Sequence, residues 1–223
     1  MTPPLTARRA TLITRYWLVV SGAIAIGLAL VLGALVATRT TTDVLDAQWL
    51  AEVIEHRSPF WTVPSLVMNF LGGGWFAVFV VPIGGALVLL VVKRPWTAVY
   101  FVLCLVASAA VVHGIKVVFG RARPTDILVA SDFGSFPSGH TANAATLAVV
   151  LGLIVRRLWV WIAGITYALV MALSRTYLGA HWLTDTIGGL LLGAGIAALL
   201  WAPFAEKLRQ EWSPYPANDS VAS

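Results

Sequence analysis

The chain has 223 residues, 59% hydrophobic and only 11% charged, with a net charge of +5. Ordinary soluble domains carry about 25% charged residues, so this composition, with a mean hydropathy of +0.84, excludes a soluble globular domain and a disordered chain alike. A single cysteine, Cys104, excludes an intramolecular disulfide framework.

A helix needs about 20 mainly apolar residues to cross the hydrocarbon core. The first such run is 16–37, preceded by Arg8, Arg9 and Arg15. It is too long for the apolar region of a signal peptide and is expected to be an uncleaved anchor. The stretch 38–58 is polar, but Val44, Leu45, Trp49, Leu50, Val53 and Ile54 recur at helical spacing, which predicts a short amphipathic surface helix. An apolar run from Pro59 to Phe70 is short and is broken by Gly72, Gly73 and Gly74. Further spans are expected at about 75–92, 96–119, 138–155, 158–177 and 184–204. The expectation is therefore an all-α bundle of six transmembrane helices within one domain, 1–210, and a flexible cytoplasmic tail, 211–223. Trp17, Trp75, Trp96, Trp159, Trp182 and Trp201 fall near span ends, as an interfacial aromatic belt requires.

With the N-terminus inside, Arg8, Arg9, Arg15, Lys93, Arg94, Arg156, Arg157, Lys207 and Arg209 fall on the inner side. Arg39, Arg57, Lys116, Arg121, Arg123 and Arg175 fall on the outer side. Setting aside the last four as candidate functional residues leaves nine basic residues against two, so both termini are expected in the cytoplasm. The basic excess is thus topogenic. No basic run alternates with aromatic residues, which argues against nucleic acid as a partner.

Charge near membrane depth is costly, about 2.5–3.5 kcal/mol per residue at a span centre. Three polar clusters nevertheless sit at outer span ends: Lys116 to Pro124, Pro137 to His140, and Ser174 to Asp185. Lys116 and Arg123 are seven residues apart, about two helical turns, with Pro124 as a stop. Ser138 stands where an N-cap belongs, Gly139 permits close backbone approach, and a helix N-terminus binds anions. His181 and Asp185 are at i and i+4, so the carboxylate can fix one imidazole tautomer and leave the other nitrogen as nucleophile or base. Cations, a hydroxyl, free amides and two histidines suit phosphoryl transfer. Spacing alone does not say which histidine attacks. Arg121 is expected to contact lipid headgroups and His113 to pack with a hydrogen bond; Asn143 is undecided between site and structure.

At these positions the sequence resembles the type 2 phosphatidic acid phosphatase superfamily. "KVVFGRARP", "PSGH" and "SRTYLGAHWLTD" match its three signatures in order and at full spacing. The resemblance implies a metal-independent, cofactor-free lipid phosphatase, and the span order above leads one to expect its site on the outer side of the plasma membrane. His181 would attack phosphorus to give a phosphohistidine, Asp185 would orient it, and His140 would protonate the leaving oxygen. Lys116, Arg123, Arg175, Ser138 and Gly139 would hold the phosphate. A membrane lipid is the implied substrate, with undecaprenyl or another polyprenyl diphosphate first and phosphatidylglycerophosphate or phosphatidic acid second. A transporter or binder of an anionic lipid would explain the cations, but not the two histidines with their carboxylate.

Overall fold

The computed structural model describes residues 5–38 and 41–212. Arg39, the tail from 213 onward and the side chains of Arg8 and Arg9 lie outside the described residues. Eight helices follow in chain order: α1 (Leu5–Ala37), α2 (Thr41–Glu55), α3 (Pro59–Gly72), α4 (Val81–Val91), α5 (Pro95–Phe119), α6 (Gly139–Val155), α7 (Leu158–Tyr177) and α8 (Leu183–Glu211). A π-helical stretch, Phe76–Val80, leads into α4.

The helix ends follow from local chemistry. Pro59 and Pro95 sit in the first turns of α3 and α5, where a missing N–H costs nothing. α5 ends on Gly120, left-handed at φ 51°, whose N–H bonds the Lys116 carbonyl. Glu211 ties the far ends of α5 and α8 together. Its carboxylate accepts from the N–H groups of Trp96 (2.6 Å) and Thr97 (2.9 Å), an anion at a helix N-terminus. The Trp212 indole donates to Thr97 Oγ1 at 3.1 Å.

The core lies among α5, α6 and α8. Tyr100, Cys104, Val150, Ala197 and Leu208 are fully or nearly fully buried, and the Tyr100 hydroxyl donates to the Ala197 carbonyl at 2.9 Å. Small residues bring α6 and α8 together: Gly189 and Gly193 of α8 lie against the backbone of Ser138 and Ala142. Gly195 meets Gly22 in the same way and seats α1. The outer surface is apolar, with Ile24, Leu28, Val31, Val91 and Val118 exposed. Water does not tolerate such a continuous surface, and lipid does.

The all-helical reading holds, but the count of six spans is not confirmed. Among the described residues, four helices are long and apolar enough to cross a membrane: Arg15–Ala37, Pro95–Phe119, Leu158–Tyr177 and Leu183–Glu211. A fifth crossing exists if Pro59–Gly72 and Phe76–Val91, bent by 42°, form one broken span. The segment expected as a straight second span is therefore one arm of a bend. Gly73 is extended, Gly74 has φ +57°, and the π-helical turn follows. α6, expected as a span, has 17 residues, about 25 Å at 1.5 Å per residue, short of a hydrocarbon core of about 30 Å.

Candidate active site

Four elements deliver the signature side chains to one end of the bundle. Lys116 lies in the last turn of α5 and Arg175 in the last turn of α7. Ser138, Gly139 and His140 open α6, and Asp185 stands in the first turn of α8. His181 precedes α8 in the turn after α7, where Gly179 is left-handed at φ +66°. A cavity of about 790 Å³ has Lys116, Gly139, His140, Arg175 and His181 in its lining. Its walls continue along Ala77, Val78, Leu105 and Val106, so a polar head meets an apolar corridor.

His181 is 2% exposed. Its Nε2 lies 3.2 Å from an Arg123 amino group. That nitrogen therefore carries the lone pair, since guanidinium can only donate. Nδ1 faces Asp185 Oδ2 at 3.5 Å, an ion-pair separation longer than a made hydrogen bond, and Nδ1 has no other partner. Burial pushes the His181 pKa down to about 4; Asp185 pulls it up, and Arg175 and Arg123 push it further down. The imidazole is thus neutral at pH 7. Asp185 is itself held firmly: Oδ1 accepts from Arg121 at 2.6 Å, and Oδ2 accepts from the Trp182 N–H at 2.9 Å and from the Ser135 hydroxyl.

Of the other expected residues, His140 and Arg175 line the cavity, whereas Ser138 is fully buried outside its lining and serves the helix. Ser138 is the N-cap of α6, its hydroxyl accepting from Thr141 Oγ1 at 3.0 Å and from the Thr141 N–H at 3.5 Å. The His140 Nε2–H donates to the Asn69 carbonyl at 3.1 Å. Arg175, 2% exposed, donates to Asn69 Oδ1, while its Nε is buried without a partner. Asn143 and His113 both line the cavity.

Several expectations need correction. Arg123 does not share a helical face with Lys116. Gly120 ends α5 first, and Arg123 reaches the site from the loop by donating to the Ala180 and Gly134 carbonyls. Arg121 does not meet lipid headgroups. It is 10% exposed and bridges Asp46 (2.7 Å) and Asp185 (2.6 Å), because two buried carboxylates need a cation between them. His113 is exposed to the cavity instead of packed. Trp201 belongs to the core, stacked edge-on against Tyr100, and Trp182 donates to the Ala122 carbonyl at 2.9 Å; neither serves as an interfacial anchor alone.

Sequence reasoning missed four residues. Asp46 of α2 accepts from the N–H and hydroxyl of Thr184 at 2.9 and 2.6 Å and so caps α8. Asn69 supports both His140 and Arg175 from α3. Asp132 pairs with Lys116 and Arg123. Burial pushes its carboxyl up, but Lys116 and Arg123 outweigh that and hold it below its ordinary value, so it is ionised. Arg57 donates to Asp126 and to the Tyr177 carbonyl, pinning the α5–α6 loop to α7. Outside the site, Glu52, Glu55 and His56 each offer a ligand atom within 4.8 Å of the others. They are exposed, and their place in the fold gives them no further role.

A family profile described as the PAP2 superfamily matches residues 97–209. Phosphatidylglycerophosphatase B of Bacillus subtilis is 28% identical over 191 residues, covering 81% of this chain and 93% of that protein. The undecaprenyl-diphosphatase of Sulfolobus acidocaldarius is 43% identical over 77 residues, which are 34% of each chain; the match thus spans about a third of that relative. In three dimensions the chain is similar to the transmembrane PAP2 type phosphatidylglycerolphosphate phosphatase from Bacillus subtilis, with TM-score 0.74 and 27% identity over 84% of this chain and 96% of that one. It is also similar to Aquifex aeolicus LpxE, with TM-score 0.62 and 25% identity over 70% of this chain and 94% of that one.

Proposed function

The chain belongs to the PAP2 superfamily, and from that premise we propose that it hydrolyses a phosphate or diphosphate on a membrane lipid through a phosphohistidine at His181. The observation that carries this reading is the His181 geometry. A buried neutral imidazole has Nε2 beside Arg123 and Nδ1 toward an anchored carboxylate, in a cavity whose walls turn apolar.

The steps follow from the groups present. Lys116, Arg123 and Arg175 neutralise the phosphoryl oxygens, with the N–H groups opening α6 beside them. The Nε2 lone pair of His181 forms the N–P bond as the P–O bond to the lipid breaks, and Asp185 stabilises the positive charge on the ring. The lipid oxygen takes a proton from His140. Because the Nε2–H of His140 is committed to Asn69, the proton given is one carried on Nδ1, so His140 enters this step as the imidazolium, its second proton taken up with the bound anionic phosphate. Water then attacks phosphorus, returns a proton to His140, and the N–P bond breaks to release orthophosphate.

An undecaprenyl or other polyprenyl diphosphate is the first substrate reading, with the site on the outer side of the plasma membrane and both termini inside. The greater coverage and TM-score of the Bacillus subtilis relatives favour phosphatidylglycerophosphate as the second. Phosphate release from a panel of these lipids, in detergent with chelator present, separates the two. Wild type is expected to turn over, and His181→Ala to lose at least about a thousandfold in kcat. Equal rates in the two proteins, or strict dependence on added metal, would sink the mechanism. Uptake of lipid into proteoliposomes without hydrolysis would establish a transporter instead.

A further inference from the structure

Asp132 holds no signature position, yet its carboxylate stands between two of the three site cations. Lys116 Nζ donates to Asp132 Oδ1 at 3.1 Å, to Oδ2 at 3.2 Å and to the Gly134 carbonyl at 3.0 Å. These contacts equal in number the three ammonium protons. Arg123 is matched in the same way. Its Nε donates to the Asp132 carbonyl at 2.9 Å. One amino group serves the Ala180 carbonyl and His181 Nε2, and the other serves the Asp132 carboxylate and the Gly134 carbonyl. These five contacts match the five N–H donors of a guanidinium.

A phosphate therefore reaches Lys116 and Arg123 only by replacing an acceptor. Four of the eight contacts go to backbone carbonyls and one to His181 Nε2; the Asp132 carboxylate, which takes the other three, is the acceptor free to swing away. Its side chain is 71% exposed, whereas those of Lys116 and Arg123 are 6% and 10% exposed. Moving it into water costs little desolvation, and the anion replacing it keeps both buried cations paired.

We propose that Asp132 is a specificity-determining residue, an internal carboxylate that occupies Lys116 and Arg123 and that an incoming phosphate must displace. Free orthophosphate bears that displacement uncompensated and binds weakly. A phosphate carried on an apolar chain offsets it along Ala77, Val78, Leu105 and Val106. The enzyme thereby favours lipid-borne phosphate over its own inorganic product. The assignment rests on the lipid phosphatase reading for its meaning, but its test reads binding and needs no turnover.

The test is calorimetric titration of the detergent-solubilised full chain with inorganic phosphate. Asp132→Asn is expected to lower the Kd for phosphate by about tenfold or more, since it removes a full charge beside the site. Asp132→Glu, which keeps the carboxylate, is expected to stay near wild type. Asp132→Ala is expected to bind tightly like Asp132→Asn, and added acetate to weaken it again. Phosphate affinity unchanged or reduced in Asp132→Asn and Asp132→Ala would overturn the proposal and leave the carboxylate as a mere orienter of the cations. Failure of both variants to elute as folded protein would also overturn it, by making the carboxylate a structural requirement. If wild type hydrolyses no lipid phosphate while Asp132→Asn still tightens phosphate binding, the catalytic reading falls and the displaceable carboxylate stands.

Discussion

At the scale of single residues, the protonation of His181 decides whether the site is poised. Its pKa is pushed from the ordinary 6.5 to about 4, first by burial, with Asp185 opposing and Arg175 and Arg123 adding to the shift. The neutral ring therefore persists well below neutral pH, and its nucleophilic lone pair with it. Nitrogen-15 NMR of histidine-labelled protein, with His181→Ala to assign the resonance, is expected to show a midpoint near 4. A midpoint near 6.5 would mean that the ring is solvated and not held as described. The same shift lowers stability as pH falls from about 6.5 toward 4, because the unfolded ring takes up a proton that the folded ring refuses. Lys116, Arg123, Ser138, His140, Arg175, His181 and Asp185 were legible because the three signature-like segments mark them, although the helical face expected for Lys116 and Arg123 is broken at Gly120. Arg121, Asn69 and Asp132 were not. Arg121 and Asn69 take partners from distant segments, Arg121 meeting Asp46 and Asp185, 75 and 64 positions away, while Asp132 meets Lys116 and Arg123, 16 and 9 positions away, through the irregular stretch after α5; no periodicity encodes such pairings.

At the scale of elements, the bend between α3 and α4 is where sequence reading was weakest, and it lines the cavity beside His140. The three glycines announced a break, but not that the break would face His140. A Cβ on Gly73 would overlap the His140 imidazole, and one on Gly72 would press on Met171. Gly73 has φ −146°, ordinary extended backbone, so an alanine there is unstrained and acts only through the ring it displaces. Gly73→Ala is expected to cut turnover about tenfold or more while Tm moves by no more than a few degrees, since small misplacements of catalytic groups cost rate steeply. Gly193→Ala is the contrasting case. Its Cβ would strike the Ala142 carbonyl, rigid backbone of α6, so about 1–3 kcal/mol of stability is expected to be lost by overpacking. Turnover per folded molecule should survive. Thermal unfolding and kcat measured on both variants check the pair, and a large Tm loss in Gly73→Ala would show that the bend is packing and not positioning.

At the scale of the whole molecule, charge is sorted between the two ends of the bundle. At one end Lys207 stands over Trp96 at 3.2 Å, Arg94 over Trp212 at 4.9 Å and Arg156 over Trp201 at 5.8 Å. At the other, Asp46 reaches Thr184, Arg57 reaches Asp126, and Trp182 reaches Ala122, closing α2, the α5–α6 loop and the turn before α8 around the site. Scarcity of charge made this division readable from sequence, since the few basic residues include one group at the Trp96 end, with Arg94, Arg156 and Lys207, and another at the site, with Lys116, Arg121 and Arg175. The number of crossings was not readable, because an apolar run says how long a helix is and not whether it bends. The positive-inside rule assigns the basic end to the cytoplasm, and sided labelling tests that directly. In a Cys104→Ser background, which removes the one buried thiol, Thr125→Cys on the site-side loop is expected to react with a membrane-impermeant maleimide in intact cells. Arg157→Cys, between α6 and α7, is expected to react only after permeabilisation. The reverse pattern would turn the site inward, and with it the leaflet from which a lipid phosphate is drawn. Both residues are exposed, so failure of either to label in intact cells reports the membrane barrier and not burial within the protein.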